Sequence, residues 1–283
     1  MRIAYLGPAG TFSEDAVRDA LAGADADIDP APTVYDAILA VDSGEADRAL
    51  VPFENSIEGA VRATLDTLAF DTPSVRIVGE HDHPIRHSLI ARRELELSEI
   101  AAVLSHPQAS AQCARFIRER LPGAEVHTAP STADAVRRVA ESDEPWAALA
   151  ARSAAEIYRC VVLAEGVEDS PDNVTRFVWI APGDTRPRGD GGWRTTLVFA
   201  ELGEDRPGAL VEALLEFSRR GVNLTRIESR PRRRGLGRYM FFLDVEGSAD
   251  DPVVAEAIAG LRGAAESVRV LGSYPVNTEG VPG

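Results

Sequence analysis

Four short runs collect the residues of this 283-residue chain that could do chemistry, three at the end of an apolar stretch and the fourth opening one. Gly7-Pro8-Ala9-Gly10-Thr11-Phe12-Ser13 pairs two glycines, which permit a tight turn, with two hydroxyls at the start of a helical pattern. Free N–H groups there can hold a phosphate or carboxylate, or the run can be an ordinary strand-to-helix turn. Val51-Pro52-Phe53-Glu54-Asn55-Ser56-Ile57-Glu58-Gly59 sets an acid, an amide and a hydroxyl side by side. A cap explains Asn55 or Ser56 singly but not the cluster, and an amide that donates and accepts beside a hydroxyl donor suits a hydroxylated ligand. In Ser105-His106-Pro107-Gln108-Ala109, Pro107 fits the first helical position, so Ser105 or His106 either caps that helix or faces a ligand. In Asp172-Asn173-Val174-Thr175-Arg176-Phe177, Phe177 reads as core packing and Arg176 as a bidentate carboxylate clamp or a surface ion pair.

These runs need a scaffold that brings them together. From Arg2 to about Pro182, β-rich stretches alternate with helical ones, which predicts an α/β domain with largely parallel strands. Strands are expected at Arg2–Leu6, Arg48–Pro52, Val75–Gly79, His87–Ala91, Ala101–Leu104, Glu125–Thr128, Trp146–Leu149 and Thr175–Ile180, with helices near Ser13–Leu21, Val34–Val41, Ala60–Phe70, Pro107–Leu121, Ser131–Glu141 and Ser153–Arg159. Ser13 and Ser131, each followed by early acids, read as N-caps. Open α/β sheets bind ligands just beyond the carboxyl ends of their strands, where the four runs stand. Residues 183–192, rich in glycine, proline and charge, read as a linker. From 193 to 283 the order strand, helix, strand, strand, helix, strand predicts a ferredoxin-like βαββαβ module.

Composition narrows the function. A net charge of −15, with 30 arginines and no lysine, makes nucleic acid and anionic lipid poor partners. Without lysine there is no Schiff-base anchor for pyridoxal phosphate and no P-loop cation, and no cofactor is expected. Cys113 and Cys160 lack paired spacing and read as reduced thiols. No apolar run approaches the ~18 residues of a membrane span, so a cytoplasmic protein is expected. His81, His83 and His87 are ligand types without a second cluster, so no metal site is expected. The arginines of Arg230–Arg238 read as a solvated hairpin tip rather than a nucleic-acid patch.

Taken together and in this order, GPAGTFS, VPFENSIEG, SHPQA and DNVTRF resemble the prephenate dehydratase family across residues 1–182. Arg206-Pro-Gly-Ala-Leu-Val211 and Asn223-Leu-Thr-Arg-Ile-Glu-Ser-Arg-Pro231 resemble the ACT regulatory module joined to those enzymes. Phe53 and Arg62 depart from the family's pattern and would trim the pocket. No chorismate mutase-like segment is seen, so a monofunctional chain is expected.

The resemblance implies a two-lobed fold like that of type II periplasmic binding proteins, the chain crossing near Gly79 and returning near Val161–Asp169, with substrate in the cleft. It implies conversion of prephenate to phenylpyruvate in L-phenylalanine biosynthesis. Thr175, Asn55, Ser56 and Glu54 would be catalytic, and Thr11, Ser13, Arg176, Phe177, His106 and Gln108 would bind substrate. Thr175 would donate to the departing hydroxyl, Asn55 and Ser56 would orient it, and Arg176 would hold a carboxylate; Glu54 and His106 would donate protons or orient neighbours. L-Phenylalanine would act as allosteric effector at Gly208, Ala209, Leu210, Val211, Asn223, Glu228, Ser229, Arg230 and Pro231, between paired modules of a homodimer or homotetramer. A non-catalytic amino-acid sensor and an arogenate dehydratase remain the rivals.

Overall fold

The computed structural model describes residues 1–276 apart from 190, 204–205 and 234. The first domain opens with β1 (Arg2–Leu6), α1 (Phe12–Leu21), β2 (Asp27–Ala31), α2 (Val34–Asp42), β3 (Arg48–Asn55), the short β4 (Gly59–Ala60), α3 (Arg62–Phe70) and β5 (Val75–Pro84). A second lobe follows: β6 (Ser88–Ala91), β7 (Ala102–Ser105), α4 (Pro107–Gln112), α5 (Ala114–Arg120), β8 (Glu125–Thr128), α6 (Thr132–Ala140), β9 (Trp146–Ala150), α7 (Arg152–Tyr158) and β10 (Val161–Glu165). The chain then returns through β11 (Val174–Pro182) and enters the module of β12 (Trp193–Ala200), α8 (Ala209–Ser218), β13 (Leu224–Pro231), β14 (Tyr239–Glu246), α9 (Pro252–Ala264) and β15 (Ser267–Pro275).

The lobes have separate sheets. One runs β10-β6-β9-β7-β8, and the other β13-β14-β12-β15-β5-β11-β3-β1-β2, so the module's sheet continues the first lobe's. Their junction is one parallel contact, Gly272 against Ile77. A core crosses it: Val198, Met240, Phe242, Leu271 and Tyr274 of the module pack with Val51, Phe53, Ile77 and Val178 of the first lobe. The module's other face buries Leu197, Phe199, Leu243 and Val245 beneath α8 and α9, with Phe217 and Leu261 among the helix residues. Alternation along β12 and β14 thus sends successive side chains to two cores.

Several expectations need correction. The strands are not largely parallel, because β11 runs antiparallel to both β3 and β5, and β6 antiparallel to β9 and β10. These are the crossing segments, whose direction is set by the return path between lobes. Gly79 lies inside β5, which continues to Pro84, so the chain changes lobes at 85–87 and, since β10 belongs to the second lobe, comes back at 166–173. The cap of α1 is Thr11, without a side-chain cap bond, rather than Ser13. Ser131 does cap α6, accepting from the Asp134 N–H at 3.0 Å. The helix expected over 107–121 breaks at Cys113, and Gly59–Ala60 pairs as strand. The β2 strand carries two aspartates and a proline, an edge composition that hides its pairing with β1.

Gly272 has no room for a side chain: a Cβ would lie 2.2 Å from the Ile77 carbonyl oxygen. Gly272→Ala is therefore expected to destabilise the protein by ~1–3 kcal/mol, the usual cost of overpacking, as read by equilibrium denaturation.

Candidate active site

Thr175 and Asn55 face each other across the β3–β11 pairing, both almost fully buried. Asn55 Nδ2 donates to Thr175 Oγ1 at 2.9 Å and to Asn173 Oδ1 at 2.8 Å. Asn55 Oδ1 accepts the N–H groups of Ile57 and Glu58 at 2.9 and 3.0 Å, which locks the amide's orientation. Ser56 ties the same corner from the other side: its Oγ donates to the Asp172 carbonyl at 3.2 Å and accepts the Val174 N–H at 3.0 Å.

The network reaches the second lobe. Asn173, wholly buried, donates through Nδ2 to Gln112 Oε1 at 2.9 Å, and His87 Nε2 lies 3.0 Å from the same oxygen. Burial lowers the His87 pKa, so the ring is neutral near pH 7 and donates through Nε2–H, leaving a buried Nδ1 with no hydrogen-bond partner. The ring of Phe12, just after the α1 cap, meets His87 edge-on with centroids 5.0 Å apart. Thr11 hydrogen-bonds the carbonyls of Leu6 and Pro8, at 3.3 and 3.0 Å, and Ser13 is buried in the first turn of α1. Gln112 was not singled out from sequence, Asn173 was named only as part of the run around Thr175, and His87 was considered only as a metal ligand. Gln112 stands one helical turn after Gln108, the only hint it offered.

Other expected site residues lie elsewhere. Alternation puts Arg176 on the opposite face of β11 from Thr175, and its guanidinium meets protein carboxylates: Asp244 Oδ2 at 2.6 Å, Glu54 Oε2 at 2.9 Å and Glu80 Oε2 at 3.3 Å. The expectation of a substrate clamp is corrected, since the clamp is filled from within. Glu54 is corrected with it: its carboxylate binds Arg176 and lies 3.5 Å from Arg226 Nε, away from the Thr175 hydroxyl. Phe177, assigned to substrate, is core, packed with Tyr5, Val17 and Trp179. His106 caps α4, its Nδ1 accepting the Gln108 N–H at 3.3 Å, and the Gln108 side chain is exposed. Phe53 does not trim a pocket; it is fully buried with the Arg176 and Arg226 guanidinium carbons 5.0 and 4.8 Å from its ring centre.

In the module, Gly208, Ala209, Leu210 and Val211 line a cavity of about 310 Å³ with Arg206, Tyr239 and Phe241. Gly208 sits at φ 85°, where a residue with a Cβ would be strained. Asn223, Glu228, Ser229, Arg230 and Pro231 are not among its lining residues. Arg230 and Glu228 register with Met240 and Phe242 and so face the first domain, with Arg230 bidentate to Asp66 of α3 at 2.7 and 3.1 Å. The hairpin arginines are thus not simply solvated, because Arg233 also reaches Asp66 at 3.1 Å. Burial alone would raise the Asp66 pKa, but the hydrogen bonds of both arginines outweigh it and hold the carboxyl below its ordinary range.

Among the described residues, Asp19, His81 and His83 have ligand atoms close enough to share a cation. Asp19 Oδ2 lies 3.0 Å from His81 Nε2 and 3.3 Å from His83 Nδ1, contacts that also fasten α1 to β5 as hydrogen bonds.

Fold and site together define a two-lobed α/β domain, with a buried polar site on its strand ends, joined to a ferredoxin-like module with its own cavity. Residues 3–185 match the family model for prephenate dehydratase and residues 196–263 that for the ACT domain. The chain belongs to the prephenate dehydratase family. A prephenate dehydratase of Amycolatopsis methanolica is 44% identical over 274 residues, covering 96% of this chain and 88% of that one. The crystal structure of a prephenate dehydratase from Arthrobacter aurescens, in complex with L-Phe, superposes with a TM-score of 0.90 at 42% identity, covering 100% of this chain and 92% of that one. A protein described as a novel type of quorum quenching acylase is also similar, with a TM-score of 0.86 and 32% identity over 98% of both chains.

Because the folded His87 titrates below its unfolded value of ~6.5, the unfolded chain binds the proton first. Stability present above that pH is lost as pH falls toward the folded pKa, and half-buried His83, also lowered by desolvation, adds the same sign. The melting temperature is expected to fall between pH 7 and pH 5, with a shallower slope in His87→Gln; an unchanged slope would contradict the buried neutral ring.

Proposed function

We propose that the chain dehydrates and decarboxylates prephenate to phenylpyruvate, a step of aromatic amino-acid biosynthesis, and that Thr175 assists the departing hydroxyl. The observation that carries this is the direction of one hydrogen bond: Asn55 donates to Thr175 Oγ1, so the threonine's own proton is not spent on Asn55. Asn55 is held in that direction by the two backbone donors on its Oδ1.

Prephenate carries two carboxylates and a ring hydroxyl, and aromatisation makes loss of CO2 and water strongly downhill. The site need not supply a nucleophile. The ring C–O bond breaks as its oxygen takes a proton relayed through the Thr175 hydroxyl, and the electron pair of the ring carbon–carboxylate bond becomes part of the aromatic ring as CO2 leaves. A positioned hydroxyl that strengthens its hydrogen bond as charge builds on the departing oxygen lowers this barrier. On the Thr175 face the neighbouring amides, Asn55 and Asn173, are neutral, so a ring carboxylate seated there is not held by a charge, which leaves it free to depart. Ser13 and the backbone N–H groups of the first turn of α1 suit the side-chain carboxylate, while Thr11, its proton given to the Leu6 and Pro8 carbonyls, shapes the turn that presents them.

Acyl transfer, the activity named for the similar acylase, calls for an activated nucleophile. Both bonds of the Ser56 hydroxyl go to backbone atoms, with neither imidazole nor carboxylate as partner, so the site supports dehydration better. The cavity at Gly208–Val211 is assigned to L-phenylalanine as effector, with the exposed Val211, Ile227 and Tyr239 as surface for a second copy in a homodimer or homotetramer. A cytoplasmic location accords with this pathway, and among the described residues no helix is long and apolar enough to cross a membrane.

Purified protein given prephenate should release phenylpyruvate, and Thr175→Ala should lower kcat ~10²-fold or more with KM within ~3-fold. Unchanged kcat would remove Thr175 from the scheme. Turnover of arogenate alone would move the assignment to the amino analogue, and binding without turnover would leave a sensor.

A further inference from the structure

The charge cluster behind the active site draws on both domains. Asp244, on β14 of the regulatory module, is completely buried, and each of its oxygens has one donor: Arg176 at 2.6 Å on Oδ2 and Thr196 Oγ1 at 2.8 Å on Oδ1. Thr196 is itself 2.8 Å from the buried Tyr274 hydroxyl. On the catalytic side, Arg176 immediately follows Thr175, and the Glu54 it binds immediately precedes Asn55. The pairing Thr175 with Asn55 is thus flanked by Arg176 with Glu54, one residue along each strand. The guanidinium is buried, braced on Phe53, and kept charged well above the ordinary arginine range: desolvation works against the charge, but Asp244 foremost outweighs it.

The same strand reaches the effector cavity. Tyr239 and Phe241 of β14 line it, on the face toward the module's helices, while Met240, Phe242 and Asp244 alternate to the face on the catalytic domain. A shift or twist of β14 that accommodates a ligand against Tyr239 and Phe241 moves the Asp244 carboxylate too. Its partner is the residue next to Thr175.

We infer that Asp244 is a positioning residue for the dehydration: it holds Arg176 and so sets the Thr175–Asn55 geometry from the regulatory domain, with β14 the element through which a ligand in the cavity changes the rate. This rests on the prephenate dehydratase reading of the site. An ordinary domain-fastening ion pair would instead contribute to stability alone.

Asp244→Asn tests the inference, since it keeps shape and an acceptor for Thr196 while Arg176 retains Glu54 and Glu80. The full chain should show kcat down ~10-fold or more with KM within ~3-fold. Phenylalanine should still bind by calorimetry within ~3-fold of the parent Kd, yet the ratio of rates with and without phenylalanine should approach about 1. In an Arg176→Lys background, Asp244→Asn should add little further loss, because the two act as one unit. Parent-like kcat and parent-like response to phenylalanine in a folded Asp244→Asn protein would overturn the inference. So would a loss of melting temperature without either kinetic change. If Asp244→Asn does not fold, Thr196→Val, which removes a donor to Asp244 and no charge, must shift kcat and the phenylalanine ratio in the same directions at smaller amplitude; parent values there would overturn it equally. A parent protein inactive on prephenate would instead sink the functional reading itself, a result distinct from an active parent indifferent to Asp244→Asn.

Discussion

The antiparallel pairing of β3 with β11 puts two different chemistries back to back. On one face Asn55 meets Thr175 at 2.9 Å within a chain of neutral amides, and on the other Arg176 meets Glu54 at 2.9 Å within a cluster of charges. A slip of one residue would exchange the faces, putting the guanidinium where the hydroxyl belongs. A bulge fixes the register: between Arg176 and Phe177 the partner jumps from Glu54 to Pro52, leaving Phe53 to turn its ring under the arginine. Lobe arrangement, domain docking and site polarity all follow from this pairing.

The separation of charge from chemistry suits the reaction. A substrate that must shed a carboxylate as CO2 gains nothing from a cation on the group it loses, and here the buried cation beside the site is saturated by the protein's own acids. Taking charged groups out of water is costly, and that cost is offset only because the guanidinium's partners are fixed from several strands. Glu80 shows the tension: burial raises its pKa despite Arg194 and Arg176 nearby. Neutral His87, Gln112 and Asn173 extend the uncharged side into the second lobe, so the contact between the lobes and the orientation of Asn55 share one set of hydrogen bonds.

Much of this was legible in the sequence, and the failures have physical causes. Apolar strands ending in polar clusters located Asn55, Ser56 and Thr175 at a shared sheet edge, because period and turn chemistry are local signals. Arg176 was misread because its partners Glu80 and Asp244 lie 96 and 68 residues away, and a lone arginine in an acidic chain looks available. The arginines near 230 were misread likewise, since Asp66 is 164 residues distant from Arg230. Gln112 carried too little local signal: a glutamine on a helix is ordinary until the fold sets it against Asn173 and His87. The strand β2 was missed for its aspartates and proline, and Phe177 was placed correctly when its apolar neighbours were weighed but not when the motif around it was.

The most direct test of the account is a crystal structure of the protein with phenylpyruvate, the product it is proposed to release. The account requires the product's ring on the amide face of β11, within hydrogen-bonding or van der Waals contact of the Thr175 hydroxyl and Asn55, with the Arg176 guanidinium still held by Asp244 and Glu54. Product bound on the charged face, with Arg176 released from those acids to take its carboxylate, would contradict it.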